Sequence, residues 1–204
     1  MSRPLVICDC DEVLLHFVGP FQRYLDQEHA LALHLDSFAL SGNIRRADGS
    51  TLPGSEFPPL LNGFFATHMA TQTPAPGAAE ALVALARDCD VVILTNVEDQ
   101  HNGVRTAELA RHGMPYRVVC NQGPKGVPVA RLIAEYGATR AAFVDDLPPH
   151  HSSVKRAAPD VFCLHMIADA RLHPLIPAAP DADARIDDWA AALPVLQSAL
   201  GVTP

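Results

Sequence analysis

From about Ala75 onward the chain alternates short β-branched apolar runs with longer amphipathic stretches, and few folds accommodate that pattern. Strands covered on both faces are apolar throughout, and parallel strands need a crossover helix between them. The spacing predicts helices over 78–87, 99–111, 127–136, 151–157 and 188–200, and strands over 90–95, 116–120, 141–144 and 161–166. Gly113, Pro115 and Gly137 supply helix stops. Leu5 to Cys8 is a strand of the same buried kind. The expected fold class is therefore α/β, a Rossmann-like doubly wound parallel sheet.

About sixty residues separate that first strand from the helix at Ala78, too many for a plain crossover. Within the gap, Phe17 to Ala30 has helical periodicity, Ser41 to Pro59 is rich in Gly, Pro and Ser, and Leu60 to Met69 reads as a short helix. Thr71 to Gly77, with Pro74 and Pro76, makes a stiff return. The expected organisation is an α/β core of residues 1–14 and 76–204 with a small, mostly helical insert over 15–75. A length of 204 residues suits one core domain with an insertion rather than two full domains.

With 49% apolar and 19% charged residues, the composition is that of a folded globular chain. A net charge of −8 and no basic run longer than Arg45-Arg46 exclude a nucleic-acid polymer as a partner. A small anion stays compatible, because a bound cation and a lysine can reverse the field locally. Cys8, Cys10, Cys89, Cys120 and Cys163 form no C-x-x-C pair and read as reduced core thiols. The first apolar stretch is broken by Asp9, Asp11 and Glu12 and cannot serve as a signal-peptide core, and no run is long enough for a membrane span. A cytoplasmic protein with no membrane partner is expected, and no feature specifies an oligomer.

Asp9-x-Asp11 alone says little, since the chain repeats the pattern at Asp88-x-Asp90 and Asp181-x-Asp183. Only the first pair follows a buried strand at its carboxyl end, where sites form in open α/β sheets. Other strand ends carry matching chemistry: Thr95-Asn96 after 90–95, and Asp145-Asp146 after 141–144. Lys125 opens a helix, a position unfavourable for the macrodipole, and so should have a compensating use such as an anion. Several carboxylates at one rim are most easily sustained by a hard divalent cation, with Mg2+ the natural occupant. Magnesium takes one or two carboxylates plus a substrate phosphate oxygen, so a small phosphorylated metabolite is the expected ligand.

In their order, Asp9-x-Asp11-x-Val13-Leu14, Leu94-Thr95-Asn96, Lys125 and Asp145-Asp146 resemble the four motifs of the haloacid dehalogenase (HAD) superfamily. The resemblance spans nearly the whole chain and implies a HAD-like hydrolase of phosphatase type with a small helical cap. It implies Asp9 as the nucleophile forming an aspartyl-phosphate and as a metal ligand. Asp11 would be the general acid and base, ligating the metal through its backbone carbonyl and leaving its side chain free. Thr95, Asn96 and Lys125 would hold the phosphoryl group, Asp146 would ligate the metal directly, and Asp145 would support it from the outer shell. The superfamily's carbon-halogen hydrolases lack the second acid, so Asp11 favours phosphoryl transfer. Two departures are Glu12, which either adds charge near the metal or points to solvent, and His150, where some relatives carry a further acid.

Each of these residues also has a bland reading, as a turn, a helix cap or a solvated side chain. Most of the ten histidines are expected on the surface or in the core; one of His16 and His68, where the insert leaves and rejoins the core, and either of His150-His151, beside the acidic motif, are the candidates to face substrate. The insert's Phe17, Phe21, Tyr24, Phe38, Phe57, Phe64 and Phe65 read chiefly as its own core. The sharper reading has one or two of them stacking on an aromatic leaving group while Arg45 or Arg46 supports an anion. Asp9-x-Asp11-x-Val13-Leu14-x-x-Phe17, with Gly63-Phe64-Phe65 before Pro74-x-Pro76-Gly77, is also similar to the deoxyribonucleotidase branch and implies nucleoside monophosphates as a substrate class. The expected function is a magnesium-dependent phosphomonoesterase. The rival readings are a phosphomutase on a sugar phosphate and a non-catalytic phosphometabolite-binding protein.

Overall fold

The chain is described by a computed structural model for residues 3–37 and 39–202, so the expectation for Phe38 lies outside the described residues. β1 (Leu5–Cys8) leads into a two-residue strand β2 (Leu15–His16) and helix α1 (Val18–His29). A small hairpin of β3 (Ala32–Leu33) and β4 (Ile44–Arg45) follows, then α2 (Phe57–Thr67) and β5 (Thr73–Pro74). The remainder alternates as expected: α3 (Ala78–Leu85), β6 (Asp90–Thr95), α4 (Asn102–Arg111), β7 (Arg117–Cys120) and α5 (Gly126–Tyr136). β8 (Ala141–Asp145), α6 (Pro148–Ala157), β9 (Phe162–His165), β10 (Ala184–Arg185) and α7 (Trp189–Leu200) complete it.

Six strands form one parallel sheet in the order β10-β9-β8-β1-β6-β7. The chain builds outward from β1 through β6 and β7, then crosses to the other side of β1 for β8, β9 and β10. That reversal at β1 is a topological switch point, and it opens a crevice at the carboxyl ends of β1, β6 and β8. Strand alternation sends Val6 and Cys8 to one face, against Leu82, Trp189 and Leu196 of α3 and α7. Leu5 and Ile7 go to the other, against Val129 of α5 and Val154 of α6. Burying each such aliphatic side chain contributes about 1.5–3 kcal/mol, so the central strand, which places Asp9, is firmly seated.

Element boundaries move for identifiable reasons. α6 begins at Pro148 rather than His151, because the missing N–H of proline costs nothing in a first turn. The helix expected over 99–111 splits into a 3-10 turn, Asp99–His101, and α4. α5 stops where Gly137 takes a left-handed φ of 61°, and α7 starts where the Asp188 carboxylate accepts the Ala191 N–H at 2.8 Å. β10 and the two-residue pairs are too short to show periodicity in sequence.

Residues 15–75 carry their own apolar cluster, with Phe21, Leu25 and Phe64 fully buried at its centre. Phe17 and Phe21 stack at 5.2 Å, and Phe64 meets both edge-on. Leu172 and Ile176, from the segment before β10, complete the cluster from the sheet side. The segment leaves and rejoins the sheet domain side by side, because β2 pairs antiparallel with β5.

Candidate active site

Three sheet residues converge at the switch point: Asp9 just beyond β1, Thr95 ending β6 and Asp145 ending β8. The Asp9 N–H donates to the Val144 carbonyl at 2.8 Å, which extends the β1–β8 ladder to the carboxylate itself. Lys125 lies wholly buried between two of these groups, its Nζ 2.6 Å from Asp9 Oδ1 and 2.7 Å from Asp145 Oδ2. This is the compensation expected for a lysine at a helix start. Burial opposes its charge, but Asp145 and Asp9 outweigh that and hold its pKa above the usual lysine value. Gly126 makes the placement possible: a methyl there would overlap the Ser153 carbonyl, so only glycine lets α5 begin against α6.

The carboxylates of Asp9, Asp145 and Asp146 offer oxygen atoms within 4.8 Å of one another. Burial pushes Asp9 up to about 7, with Asp145 adding repulsion and Lys125 opposing it. Asp146 is raised well above the carboxylate range by burial and by Asp145 and Asp9, whereas the contact with Lys125 holds Asp145 below its ordinary value despite burial. One lysine thus serves two carboxylates and leaves the third uncompensated. An all-oxygen set with surplus negative charge fits a hard divalent cation, and magnesium would be held by Asp9 and Asp146 with Asp145 anchoring Lys125 behind them. Two histidines brace the motif: His151 Nε2 lies 3.0 Å from the Asp145 carbonyl and His165 Nε2 2.8 Å from that of Asp146.

The raised groups set a pH dependence. Glu12 is pushed up to about 7 by burial, as is Glu108, and both join Asp9 and Asp146 in binding protons more tightly folded than unfolded. The protonated native state is favoured below the unfolded carboxylate range near 4, and that stability is lost as pH rises toward about 7. His150, His151 and His165, whose pKa values burial lowers from 6.5, act in the opposite sense as pH rises to that value. Above it only the carboxylates still change, so thermal unfolding in chelator should give a Tm that falls from about pH 6.5 to pH 8. Magnesium should raise Tm more at pH 8 than at pH 5. A metal increment independent of pH would contradict this assignment.

Thr95 Oγ1 is buried and has no hydrogen-bond partner, and an orphaned hydroxyl at a rim of carboxylates is suited to a ligand oxygen. Asn96 is fixed beside it: its Oδ1 accepts from Asn121 Nδ2 at 2.8 Å, and its Nδ2 donates to the Gly123 carbonyl at 3.1 Å. His150 is buried, with Nε2 3.4 Å from Asn96 Nδ2 and its pKa lowered by burial, so it adds no charge where an acid was the alternative.

Asp11 differs from the sequence expectation of a free side chain. Arg105 of α4 grips both of its oxygens at 2.9 Å, and Gln72 Nε2 donates to Oδ1 at 2.7 Å. Gln72 Oε1 in turn accepts from Arg105 at 2.9 Å, and its Nε2 also reaches the His16 carbonyl at 3.2 Å. Arg105 is fully buried, pairs with Glu108 at 3.2 Å and lies 5.6 Å from the Phe65 ring. The knot joins the strand-end loop, α4 and the returning end of residues 15–75. Neither Arg105 nor Gln72 stands out in sequence; an arginine with Glu108 three residues on reads as an ordinary surface pair.

Glu12 does not point to solvent. It sits at φ 57° in a tight turn, and its Oε1 accepts the N–H groups of Phe17 and Val18 at 2.8 and 2.6 Å while Oε2 accepts that of Asp169 at 3.1 Å. It thus caps α1 and ties it to the sheet side. Arg45 and Arg46 are spent elsewhere: Arg45 donates to the Gly42 carbonyl at 2.7 Å, and Arg46 pairs with Glu56 at 2.8 Å. His68 packs on the Tyr24 ring, 4.8 Å between centroids, and neither it nor His16 lines the site.

A cavity of about 380 Å³ joins these groups to residues 15–75. Asp9, Asp11, Asn96, Lys125, Asp146 and His150 form one end, and Phe17, Leu40, Phe57, Leu61, Phe65 and Ile176 are among the residues of the other. No protein-family model matches the chain, and no curated protein matches it. Solved structures do match. A candidate haloacid dehalogenase-like hydrolase from Burkholderia xenovorans LB400 is 16% identical over 100% of both chains, with a TM-score of 0.67. A candidate HAD hydrolase from Bacillus subtilis, bound to magnesium, is 14% identical over 96% of this chain and 99% of that one, with a TM-score of 0.66. A candidate phosphoglycolate phosphatase from Lactobacillus plantarum is 12% identical over 96% and 100%, with a TM-score of 0.64. The chain has the fold of the HAD-superfamily hydrolases.

Proposed function

We propose that the protein is a magnesium-dependent phosphomonoesterase of small phosphorylated metabolites, working through an aspartyl-phosphate, with residues 15–75 as its cap. The observation that carries this reading is the convergence of Asp9, Asp146 and Asp145 within 4.8 Å at the switch point, with Lys125 bridging two of them. In the proposed reaction a carboxylate oxygen of Asp9 attacks phosphorus while the bond from phosphorus to the leaving oxygen breaks. Asp11, once protonated and released from one of its Arg105 contacts, donates a proton to that oxygen, then removes one from the water that hydrolyses the acyl phosphate, regenerating Asp9 and releasing inorganic phosphate. Thr95 Oγ1, the Asn96 backbone and Lys125 stabilise the phosphoryl oxygens. Bound magnesium supplies charge neutralisation between the carboxylates and the phosphoryl group.

The fold shared with hydrolases and the magnesium in the B. subtilis structure support this reading. The test is phosphate release from an aryl phosphate, expected with magnesium and abolished by excess chelator, then restored when magnesium is returned. Undiminished release in chelator would sink the metal assignment. An acid-quenched reaction with labelled substrate should retain label on the protein. No helix among the described residues is long and apolar enough to cross a membrane.

A further inference from the structure

The chemistry of the cavity beyond the phosphoryl end limits what the rest of the substrate can be. That portion is walled by aromatic and aliphatic side chains: Phe57 and Leu61 from α2, Leu40 from the β3–β4 connection, Phe17 and Phe65 from the insert's cluster, and Leu172. Among the described lining residues the charged groups are Lys125 and four acids, Asp9, Asp11, Glu12 and Asp146. Lys125 is already engaged by two carboxylates, and His150 is disfavoured as a cation by burial. Arg45 and Arg46 are bonded within the hairpin region, and Arg105 is sealed behind Asp11. A second phosphate or a carboxylate on the substrate would therefore meet apolar surface and negative charge with no cation to receive it. A polyhydroxylated sugar would fare little better. Apart from the catalytic groups, Ser41, Asn96 and His150 are the polar side chains available, and Asn96 already spends both ends of its amide.

We infer that the substrate is a monophosphate ester of an uncharged, largely apolar alcohol, whose aromatic or branched aliphatic body fills the cavity between α2 and the β3–β4 connection. The inference rests on the hydrolase reading and narrows it. It also disfavours a phosphomutase, whose bisphosphorylated intermediate needs a second anion site. A cavity of this volume falls at the small end of the roughly 300–1,000 Å³ range of ligand pockets, enough for a body of one or two rings.

The experiment has a turnover arm and a binding arm. kcat/KM is measured with magnesium for 1-naphthyl phosphate, glucose 6-phosphate, phosphoglycolate and a nucleoside monophosphate. Naphthyl phosphate should exceed each of the others by about 10–200-fold, chiefly through KM, the range that modest apolar differences give in such pockets. Leu61→Arg should erase that preference, lowering naphthyl phosphate and raising phosphoglycolate; Leu40→Arg is the second variant, from a different loop. In parallel, calorimetry compares binding of 1-naphthylmethylphosphonate and phosphonoacetate, neither of which can be hydrolysed. Turnover that favours the sugar phosphate, phosphoglycolate or the nucleotide would overturn the inference and leave the hydrolase reading intact. Tight, Leu61-dependent binding of the naphthyl phosphonate with no ester hydrolysed would do the reverse. Equal binding of the two phosphonates would also overturn it.

Discussion

Asp9→Asn is expected to reduce release of phosphate from an aryl phosphate by at least ~10³-fold, since removing a nucleophile abolishes the covalent route altogether. Asparagine has nearly the same shape, so the strand end should hold while the anionic oxygen that faces Lys125 at 2.6 Å is lost. The same change removes one carboxylate from a crowded trio and one partner from a buried ammonium, two effects of opposite sign on stability. The Tm in chelator should consequently move little, whereas the increase in Tm on adding magnesium should shrink, because one of its two proposed carboxylate ligands is gone. Retained turnover in a folded Asp9→Asn protein would remove the aspartyl-phosphate from consideration. It would also reopen the non-catalytic reading if no ester is turned over by the wild type either.

The second large effect is expected at Arg105. Replacing it with methionine leaves Glu108, whose side chain is almost wholly buried, and Asp11, whose side chain is 20% exposed, without their cation. Breaking a buried pair by deleting one partner costs about 3–5 kcal/mol, and the partial exposure of Asp11 places the expectation near about 3 kcal/mol. For a chain of this length that is a fall in Tm of roughly 6–12 °C. Adding Glu108→Gln should recover part of it by removing one of the two orphaned charges. Arg105 reaches substrate only through Asp11, so it acts as a positioning residue, and its catalytic effect should depend on the leaving group. Hydrolysis of phenyl phosphate, whose leaving oxygen needs a proton, should suffer more than hydrolysis of 4-nitrophenyl phosphate, whose leaving group departs without one. Equal losses on both esters would reduce Arg105 to a purely structural role.

Most of the sheet was legible because buried parallel strands announce themselves. Leu5–Cys8 and Asp90–Thr95 have the bounds read from the sequence, and their polar ends marked Asp9 and Thr95 as rim residues. Lys125 was legible for a different reason: a cation at a helix start contradicts the macrodipole, and the contradiction pointed to an anion. What the sequence concealed were contacts between groups distant along the chain. Arg105 lies 94 residues from Asp11 and 33 from Gln72, and no local pattern marks it as buried. Glu12 reads from sequence as charge near the metal or as a solvent-facing side chain, because nothing nearby in sequence shows that three backbone N–H groups, one of them at Asp169, turn toward it.

The opening alternation of apolar runs and amphipathic stretches thus determined the layer architecture and which strand ends carry chemistry, since both follow from periodicity and local turn preferences. Only the tertiary structure decided how those ends are charged and what lies opposite them. It placed one lysine between two carboxylates, tied Asp11 to a buried arginine, and turned an apolar wall from residues 15–75 toward the rim. The physical reason is range: hydrophobic patterning acts between neighbours in sequence, whereas desolvation and charge pairing depend on which distant groups the fold brings within a few ångströms.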